Sequence, residues 1–233
     1  MIKLSILVPA FNEENTIIEI LEKVSKVEIE GVKKEIIVID DCSLDKTLSL
    51  LEKNKNLYDL LIRMKQNSGK GAAIKEGLKK ATGNYILFQD ADLEYDPLDY
   101  KKLIEPVLRF NADLVIGSRL LSSQLTRVYY FWHKVGNKFL TFLFNVLNNT
   151  TFTDIYSCYL LFRRSLINPN NLETSGWEQQ AEILATSVKK SKIHYEVPIS
   201  YAGRTFEEGK KIKGRHVFKV VFMIIKKKDC LNY

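Results

Sequence analysis

The sequence predicts an α/β fold in which a mostly parallel sheet is covered by helices on both faces. Short apolar runs alternate with helix-like segments through the first 120 residues. These runs are continuously apolar, which indicates strands that are buried on both faces. With 233 residues, of which 45% are hydrophobic, the chain is also long and apolar enough to form one sizeable core.

In the first half, each predicted strand is followed by a predicted helix. Residues 3–9 form an apolar run closed by a proline, and Asn12 or Asn15 can cap the next helix. Ile17, Leu21 and Val24 recur on one face of that helix. The following elements are predicted, in order, as a strand at 35–40, a helix around 48–51, a weaker strand at 59–64, a helix at 69–81, a strand at 85–89, a helix at 97–107 and a strand at 112–117.

Beyond residue 120 the pattern changes. The predicted elements there are an aromatic-rich helix at 128–147, a strand at 158–163, a helix at 178–190, a strand at 193–201 and a last helix at about 214–228. The sequence contains no Gly/Ser linker and no internal repeat. The whole chain, 1–233, is therefore predicted to be a single domain.

Charge and cysteine content indicate the class of protein. The net charge is +7, and nine basic residues against two acidic ones between positions 204 and 228 account for all of it. A basic end on a neutral body predicts docking to phosphates or to an anionic membrane, and not general nucleic-acid binding. The three cysteines are widely spaced and form no metal-binding motif, which is typical of a reducing compartment. With no signal peptide or spanning segment evident, we expect a cytoplasmic protein, peripheral at a membrane.

Polar and charged residues follow four of the predicted strands, at the edge of the sheet where α/β proteins bind ligands. They occupy positions 9–13, 40–43, 90–94 and 117–119. Asp90, Asp92 and Glu94 alternate directly after an apolar strand, and hard oxygen ligands in this spacing suit Mg²⁺ or Mn²⁺ beside a diphosphate. The alternative is that these carboxylates only cap the next helix.

Two common nucleotide-binding motifs are absent from the sequence. No GxGxxG segment follows the first strand, which argues against a dinucleotide site. The segment 67–71, NSGKG, lacks the earlier glycine and the following Ser or Thr of a P-loop.

Seven segments resemble the family 2 glycosyltransferases with a GT-A fold, a Rossmann-like nucleotide-diphospho-sugar transferase fold. The likeness is strongest to the branch of polyprenyl- and dolichyl-phosphate mannosyltransferases and glucosyltransferases. The segments are LVPAFNEENTI, EIIVIDDCSLDKT, NSGKGAAIKEGLKKATGNYILFQDADLEYDP, LVIGSR, YFWHKVGNKFLT, TDIYSCYLLFRR and VPISYAGRTFEEGKKI. They run in order from residue 7 to residue 212, and the NSGKGAA and GRTFEEGKK segments are the most specific.

The resemblance implies a set of site residues. A nucleotide-sugar-binding half, 1–120, would precede an acceptor-side half, 121–212, and a basic apolar helix, 213–233. Asp92 and Glu94 would hold Mg²⁺ or Mn²⁺, with Asp92, Asp154 and Arg204 in catalytic roles. Asp154 would orient the acceptor or act as a base. The substrate-binding residues would be Pro9, Phe11, Glu13, Ile39, Asp41, Lys70, Asp90, Ala91, Arg119, Arg204 and Lys210.

The implied reaction is the inverting transfer of a hexose from GDP-mannose or UDP-glucose to polyprenyl or dolichyl phosphate. Two alternatives stay open at this point: a saccharide hydroxyl as acceptor in cell-surface polysaccharide synthesis, or a catalytically silent partner of another glycosyltransferase. Tyr156, Ser157 and the segment 178–182 depart from the branch's usual residues, and all of them lie in the acceptor-side half.

A lipid acceptor requires access to a membrane, and two segments offer it. The predicted helices at 128–147 and 214–228 combine aromatic or aliphatic residues with lysines, a composition typical of helices at the headgroup boundary. The alternative is that both helices bury their apolar sides in the core. A membrane-protein partner is also consistent with this pattern.

Overall fold

The computed structural model describes residues 1–121, 131–203 and 216–227. The strands are β1 (Ile2–Ala10), β2 (Val32–Asp40), β3 (Leu60–Arg63), β4 (Tyr85–Phe88), β5 (Leu114–Ser118), β6 (Leu160–Arg163) and β7 (His194–Pro198). The α-helices are α1 (Ile17–Lys26), α2 (Thr47–Lys53), α3 (Lys70–Lys80), α4 (Tyr100–Phe110), α5 (Phe131–Asn148), α6 (Gln179–Lys190) and α7 (His216–Lys226).

The seven strands described form one sheet in the order β3-β2-β1-β4-β6-β5-β7. Every pairing is parallel except those of β6, which runs antiparallel to both β4 and β5. The predicted mostly parallel sheet is therefore confirmed. Between β1 and β4 the chain's progress across the sheet reverses, and in open α/β sheets the crevice at such a reversal is where ligands bind.

Close packing of helices on the sheet explains one glycine. Helix α3 packs against β1 and β2. A Cβ at Gly77 of α3 would lie 2.9 Å from Ile39 Cδ1 and 3.2 Å from Leu7 Cδ1, so a larger residue would push the helix away. One continuous cluster of buried apolar residues runs through the sheet and includes Val220 and Ile224 of α7.

Two predicted elements differ clearly from those observed, and the ends of two others cannot be compared. The helix predicted at 97–107 begins with a 3₁₀ turn at Pro97–Asp99 before α4. The strand predicted to reach Tyr201 ends at Pro198, and Tyr201 makes only an isolated bridge with Tyr95. The ends of the helices predicted at 128–147 and 214–228 include positions 128–130, 214, 215 and 228, which lie outside the described residues.

Candidate active site

A cavity of about 380 Å³ opens at the carboxyl edge of the sheet, beside the β1–β4 reversal. It is bordered by the segments that follow β1, β2, β4 and β5 and by the first residues of α3 and α6. Ten of the residues predicted from the sequence line it: Pro9, Phe11, Glu13, Asp41, Lys70, Asp90, Ala91, Asp92, Glu94 and Arg119. The convergence expected from the strand ends is therefore present.

The loops after β1 and β2 hold each other at the rim of this cavity. The Asn12 side chain accepts a hydrogen bond from the Leu44 backbone (2.8 Å), and the Glu13 backbone donates to Thr47 Oγ1 (2.9 Å). Asn12 adopts a left-handed conformation, φ 53°, which asparagine tolerates better than most residues. These bonds fix where Phe11 and Glu13 face the cavity.

Asp41 positions the first turn of α3. Its carboxylate accepts hydrogen bonds from the backbone N–H groups of Ser68 (2.9 Å) and Gly69 (2.8 Å). Gly69 has φ 93°, and a Cβ there would lie only 2.7 Å from the Ser175 carbonyl oxygen, so only glycine fits. The carboxylate therefore borders the cavity while it anchors the NSGKG turn.

Lys70 and Asp90 form an ion pair inside the cavity. The Lys70 ammonium also lies 5.5 Å from the centroid of the Trp177 ring. Burial acts to lower the pKa of Lys70, but the Asp90 carboxylate outweighs it and the pKa is raised. Lys70 is thus charged, and its ammonium is paired with the Asp90 carboxylate.

Asp92 and Glu94 stand on a tight turn between β4 and α4. Leu93 between them has φ 64°, a strained conformation for a leucine. Asp92 accepts a hydrogen bond from the Glu94 backbone (3.2 Å), and Glu94 Oε2 accepts one from the Tyr201 hydroxyl (2.8 Å). The turn brings both carboxylates to the cavity wall.

The carboxylates in the cavity can be tested for their fit to a divalent cation. Among the described residues, no three His, Cys, Asp or Glu side chains group together as a metal cage. Mg²⁺, however, is commonly held by one or two carboxylates together with substrate phosphates. Asp92 and Glu94 fit that second mode, whereas Asp90 is engaged by Lys70.

Arg119 is fixed by a buried ion pair with Asp154. Its Nε and one terminal nitrogen donate to the two Asp154 carboxylate oxygens at 2.7 and 2.9 Å, and Asn137 of α5 donates to the same carboxylate at 2.7 Å. Burial acts to raise the pKa of Asp154, but the Arg119 guanidinium overcomes this and lowers it. Asp154 is fully buried behind Arg119 and is not among the residues that line the cavity.

Three further predicted residues are not placed in the cavity. Ile39 is fully buried against α3 and does not line it. Arg204 and Lys210 lie outside the described residues.

Several lining residues were missed or left undecided by sequence reasoning. Tyr95, Tyr156, Cys158, Trp177, Gln179, Gln180 and Tyr201 all border the cavity. The Tyr201 ring lies 5.0 Å from the Arg119 guanidinium carbon and 5.0 Å, between centroids, from the Tyr95 ring. Tyr201 lies in VPISYAGRTFEEGKKI, one of the seven segments that carry the family resemblance, and this is the signal that could have pointed to it.

Helices α5 and α7 pack against each other, and each leaves a stripe of apolar side chains exposed; we call the two stripes together the apolar face. Each helix buries one stripe, including Leu140 and Phe144 of α5 and Val220 and Ile224 of α7. The other stripe is open to solvent on both helices. The apolar face consists of Phe131, Trp132, Val135, Phe139, Phe142, Val146, Phe218, Phe222 and Ile225. Within the described ranges, no helix combines the length and hydropathy that a membrane span requires.

Most of the chain matches a family model and known relatives. Residues 5–168 match the family model described as glycosyl transferase family 2. A dolichol-phosphate mannosyltransferase of Pyrococcus furiosus is 28% identical over 220 residues, which cover 93% of this chain and 61% of the relative. The chain thus spans about three fifths of that relative's length. An uncharacterised protein of Methanocaldococcus jannaschii is 30% identical over 231 residues, 96% of this chain and 91% of the relative.

Solved structures share the fold. Glucosyl-3-phosphoglycerate synthase from Mycobacterium tuberculosis, in complex with Mn²⁺, UDP and glucosyl-3-phosphoglycerate, aligns with a TM-score of 0.71 at 19% identity, over 97% of this chain and 80% of that one. The same enzyme with Mg²⁺ and UDP aligns with a TM-score of 0.69 at 19% identity, over 97% of this chain and 79% of that one.

Proposed function

Because the chain belongs to glycosyl transferase family 2, and is therefore a glycosyltransferase, we propose that it transfers a hexose from a nucleotide sugar to a polyprenyl phosphate. The predicted family, GT-A fold and enzyme class are confirmed. One observation supports the finer proposal most strongly: a single cavity joins the Asp92 and Glu94 carboxylates to the Arg119 guanidinium. The name of the Pyrococcus relative points to the same acceptor class.

The donor diphosphate would lie between these two sets of charges. Asp92 and Glu94 would hold Mg²⁺ or Mn²⁺, which supplies Lewis-acid stabilisation to the departing nucleotide. Arg119 donates to the negative charge that develops on the phosphate oxygens as the glycosidic bond breaks. Asp154 keeps the guanidinium in one orientation, so little reorganisation is needed during the reaction.

A lipid phosphate is already anionic, so it needs positioning more than deprotonation. Both cations of the described site are ion-paired, but the partner of Arg119, Asp154, is buried behind it, whereas Lys70 and its partner Asp90 both line the cavity. Arg119 can therefore face the acceptor phosphate without its partner carboxylate beside it in the cavity. We further propose that Arg204 and Lys210 bind the diphosphate and the acceptor phosphate. Asp154 is better suited to orient Arg119 than to act as a base, because it is buried and ion-paired.

The apolar face supports a membrane-bound acceptor and a peripheral location at the membrane surface. Asn137 of α5 donates to Asp154, so the helix that carries most of the apolar face is one hydrogen bond away from the Arg119–Asp154 pair. Lys134, Lys138 and Lys219 are exposed on the same two helices and suit anionic headgroups. A prenyl chain lying along this face would bring its phosphate towards Arg119.

Transfer can be tested directly with radiolabelled donors. Purified protein with Mn²⁺ is incubated with UDP-glucose or GDP-mannose and undecaprenyl or dolichyl phosphate, and the label is extracted into organic solvent. We expect label in the organic phase with at least one pair, and its loss in Asp92→Ala. Asp96→Ala is the matched control, since Asp96 is exposed, does not line the cavity and uses its side chain to accept a hydrogen bond from the Leu98 backbone.

The outcome also separates the alternative functions. Label transferred to an added saccharide but never to the lipid would contradict the lipid acceptor while retaining the donor half. No transfer and no donor hydrolysis with any combination would favour a silent partner protein.

A further inference from the structure

The side-chain nitrogen Nε2 of Gln179, the first residue of α6, has no hydrogen-bond partner within the part of the chain that the structure describes. The residue is only 2% exposed, and its Nε2 atom contacts neither solvent nor any acceptor among the described residues. A buried amide that donates no hydrogen bond is costly, and such groups in native proteins call for an explanation. Gln179 also lines the cavity, so a ligand can supply the missing acceptor.

Gln180, the next residue in the same turn, is a buried amide whose side-chain nitrogen does have a hydrogen-bond acceptor. Gln180 is also buried and lines the cavity, but its Nε2 donates to the Ser157 carbonyl oxygen. Glu182, one turn later, accepts hydrogen bonds from Thr174 Oγ1 (2.6 Å) and from the Thr174 backbone (2.9 Å). The first turn of α6 is thus otherwise well bonded, and Gln179 is the exception.

The corner of the cavity around Gln179 combines an amide, an ion pair and an aromatic ring. A Cβ at Gly71 would lie 2.9 Å from Gln179 Cβ, so the amide side chain sits directly beside the first turn of α3. The same turn carries Lys70, whose charge is balanced by Asp90 and whose ammonium lies over Trp177. An aromatic ring, an amide and a neutralised ion pair suit an uncharged, hydroxyl-rich group better than a phosphate.

We propose that the Gln179 amide binds a hydroxyl group of the transferred hexose. The inference rests on the proposed function and adds a residue that recognises the sugar. In the present conformation Nε2 is enclosed, so a rotation of the side chain towards the cavity accompanies binding. In the free protein Gln179 Nε2 has no acceptor within the described residues, and in the complex the sugar hydroxyl provides one.

Two variants of matched size test this. Gln179→Met and Gln180→Met each remove an amide at nearly constant volume. Calorimetric titration with Mn²⁺ compares UDP-glucose with UDP, and GDP-mannose with GDP, for the pair that the wild-type protein binds. For Gln179→Met we expect roughly tenfold weaker binding of the nucleotide sugar and unchanged binding of the nucleoside diphosphate.

Thermal unfolding of the ligand-free variants supplies a second readout. Gln179→Met should have an unchanged or higher Tm, because it removes an unsatisfied group, whereas Gln180→Met should have a lower one. A fall in Tm for Gln179→Met comparable to that of Gln180→Met would assign Gln179 a structural role and overturn the inference.

The binding data distinguish failure of this inference from failure of the proposed function. Unchanged sugar-nucleotide affinity in Gln179→Met would overturn the inference alone. An equal loss for the sugar nucleotide and the diphosphate would also overturn it, because the amide would then contact the nucleotide. If wild-type protein bound neither nucleotide sugar, the proposed function would fall and this inference with it.

Discussion

Asp154 and Arg119 form an ion pair whose two members have very different access to water. Asp154 is fully buried, while the Arg119 side chain is 19% exposed at the cavity wall. Buried pairs of this kind contribute little net stability, but breaking one leaves an uncompensated charge. The ion pair with Asp154 therefore holds the long Arg119 side chain in one position beside the proposed diphosphate.

Removal of Asp154 should destabilise the protein strongly. We expect Asp154→Ala to lower the free energy of unfolding by about 3–5 kcal/mol, because Arg119 loses its partner in a desolvated setting. Asp113→Ala is the matched control: it breaks the more exposed pair with Arg163 and should cost less. Urea unfolding measures both, and equal losses would contradict the buried-pair argument.

Tyr201 is predicted to position Glu94. Its hydroxyl donates to Glu94 Oε2 at 2.8 Å, and hydrogen bonds of this kind orient metal-binding carboxylates. Tyr201→Phe should weaken Mn²⁺ binding in the presence of a nucleoside diphosphate by about tenfold or more, measured by electron paramagnetic resonance titration. Tyr156→Phe is the control, since that hydroxyl donates to the Trp177 carbonyl oxygen instead (2.7 Å). An unchanged Mn²⁺ affinity in Tyr201→Phe would contradict the proposal that the Tyr201 hydroxyl positions Glu94.

At the scale of the elements, Glu35 joins three segments at the amino edge of the sheet. Its carboxylate on β2 accepts hydrogen bonds from Ser5 of β1 and from the Thr82 backbone before β4 (2.9 Å), and it pairs with Lys3 (2.9 Å). Burial acts to raise the pKa of Glu35, but these hydrogen bonds lower it from 4.5 to about 2. The ionised carboxylate thus stabilises the folded sheet.

This pKa predicts how stability depends on pH. Because the folded-state pKa lies below the unfolded one, the stabilisation is present above pH 4.5 and is lost as pH falls towards about 2. Glu35→Gln should cost up to about 3 kcal/mol at pH 7 and progressively less below pH 4.5. Urea unfolding across this range measures it, with Glu76→Gln as control, because Glu76 is less buried than Glu35 and pairs only with a residue of its own helix, Lys79, among the ion pairs described. A difference between Glu35→Gln and wild type that did not change with pH would contradict the assignment.

The elements of the first half could be predicted because local pattern determines them. Continuous apolar runs produced β1, β2 and β4 near their predicted positions, and the acidic residues after them line the cavity as expected. The direction of β6 could not be predicted, because a strand buried on both faces has the same pattern in either orientation. Tyr201 lies in the segment VPISYAGRTFEEGKKI and Gln179 in the departing segment 178–182, but their place in the site depends on contacts between segments far apart in sequence, such as that of Tyr201 with Glu94.

At the scale of the whole molecule, two lysines at the end of α7 form ion pairs that attach this helix to the rest of the protein. Lys227 pairs with Glu173 and with the buried Glu182 of α6, both at 3.1 Å, and Lys226 pairs with Glu173. These charges, which the sequence suggested for a membrane surface, are partly used to hold α7 on the body of the protein. The anchored helix nevertheless keeps Phe218 and Phe222 exposed, 80% and 64% respectively.

The apolar face should therefore bind a lipid surface. Wild-type protein is expected to co-sediment with vesicles containing anionic phospholipid at low salt, and less so at high salt, because exposed lysines flank the face. Trp132→Ser combined with Phe222→Ser should weaken binding at least tenfold, since burial of each aromatic side chain contributes about 1.5–3 kcal/mol. Leu108→Ser, on α4, removes an exposed apolar side chain away from this face and should leave binding unchanged. Equal binding by all three proteins would show that charge alone attracts the vesicles, and the proposed route of the lipid to Arg119 would then lose its support.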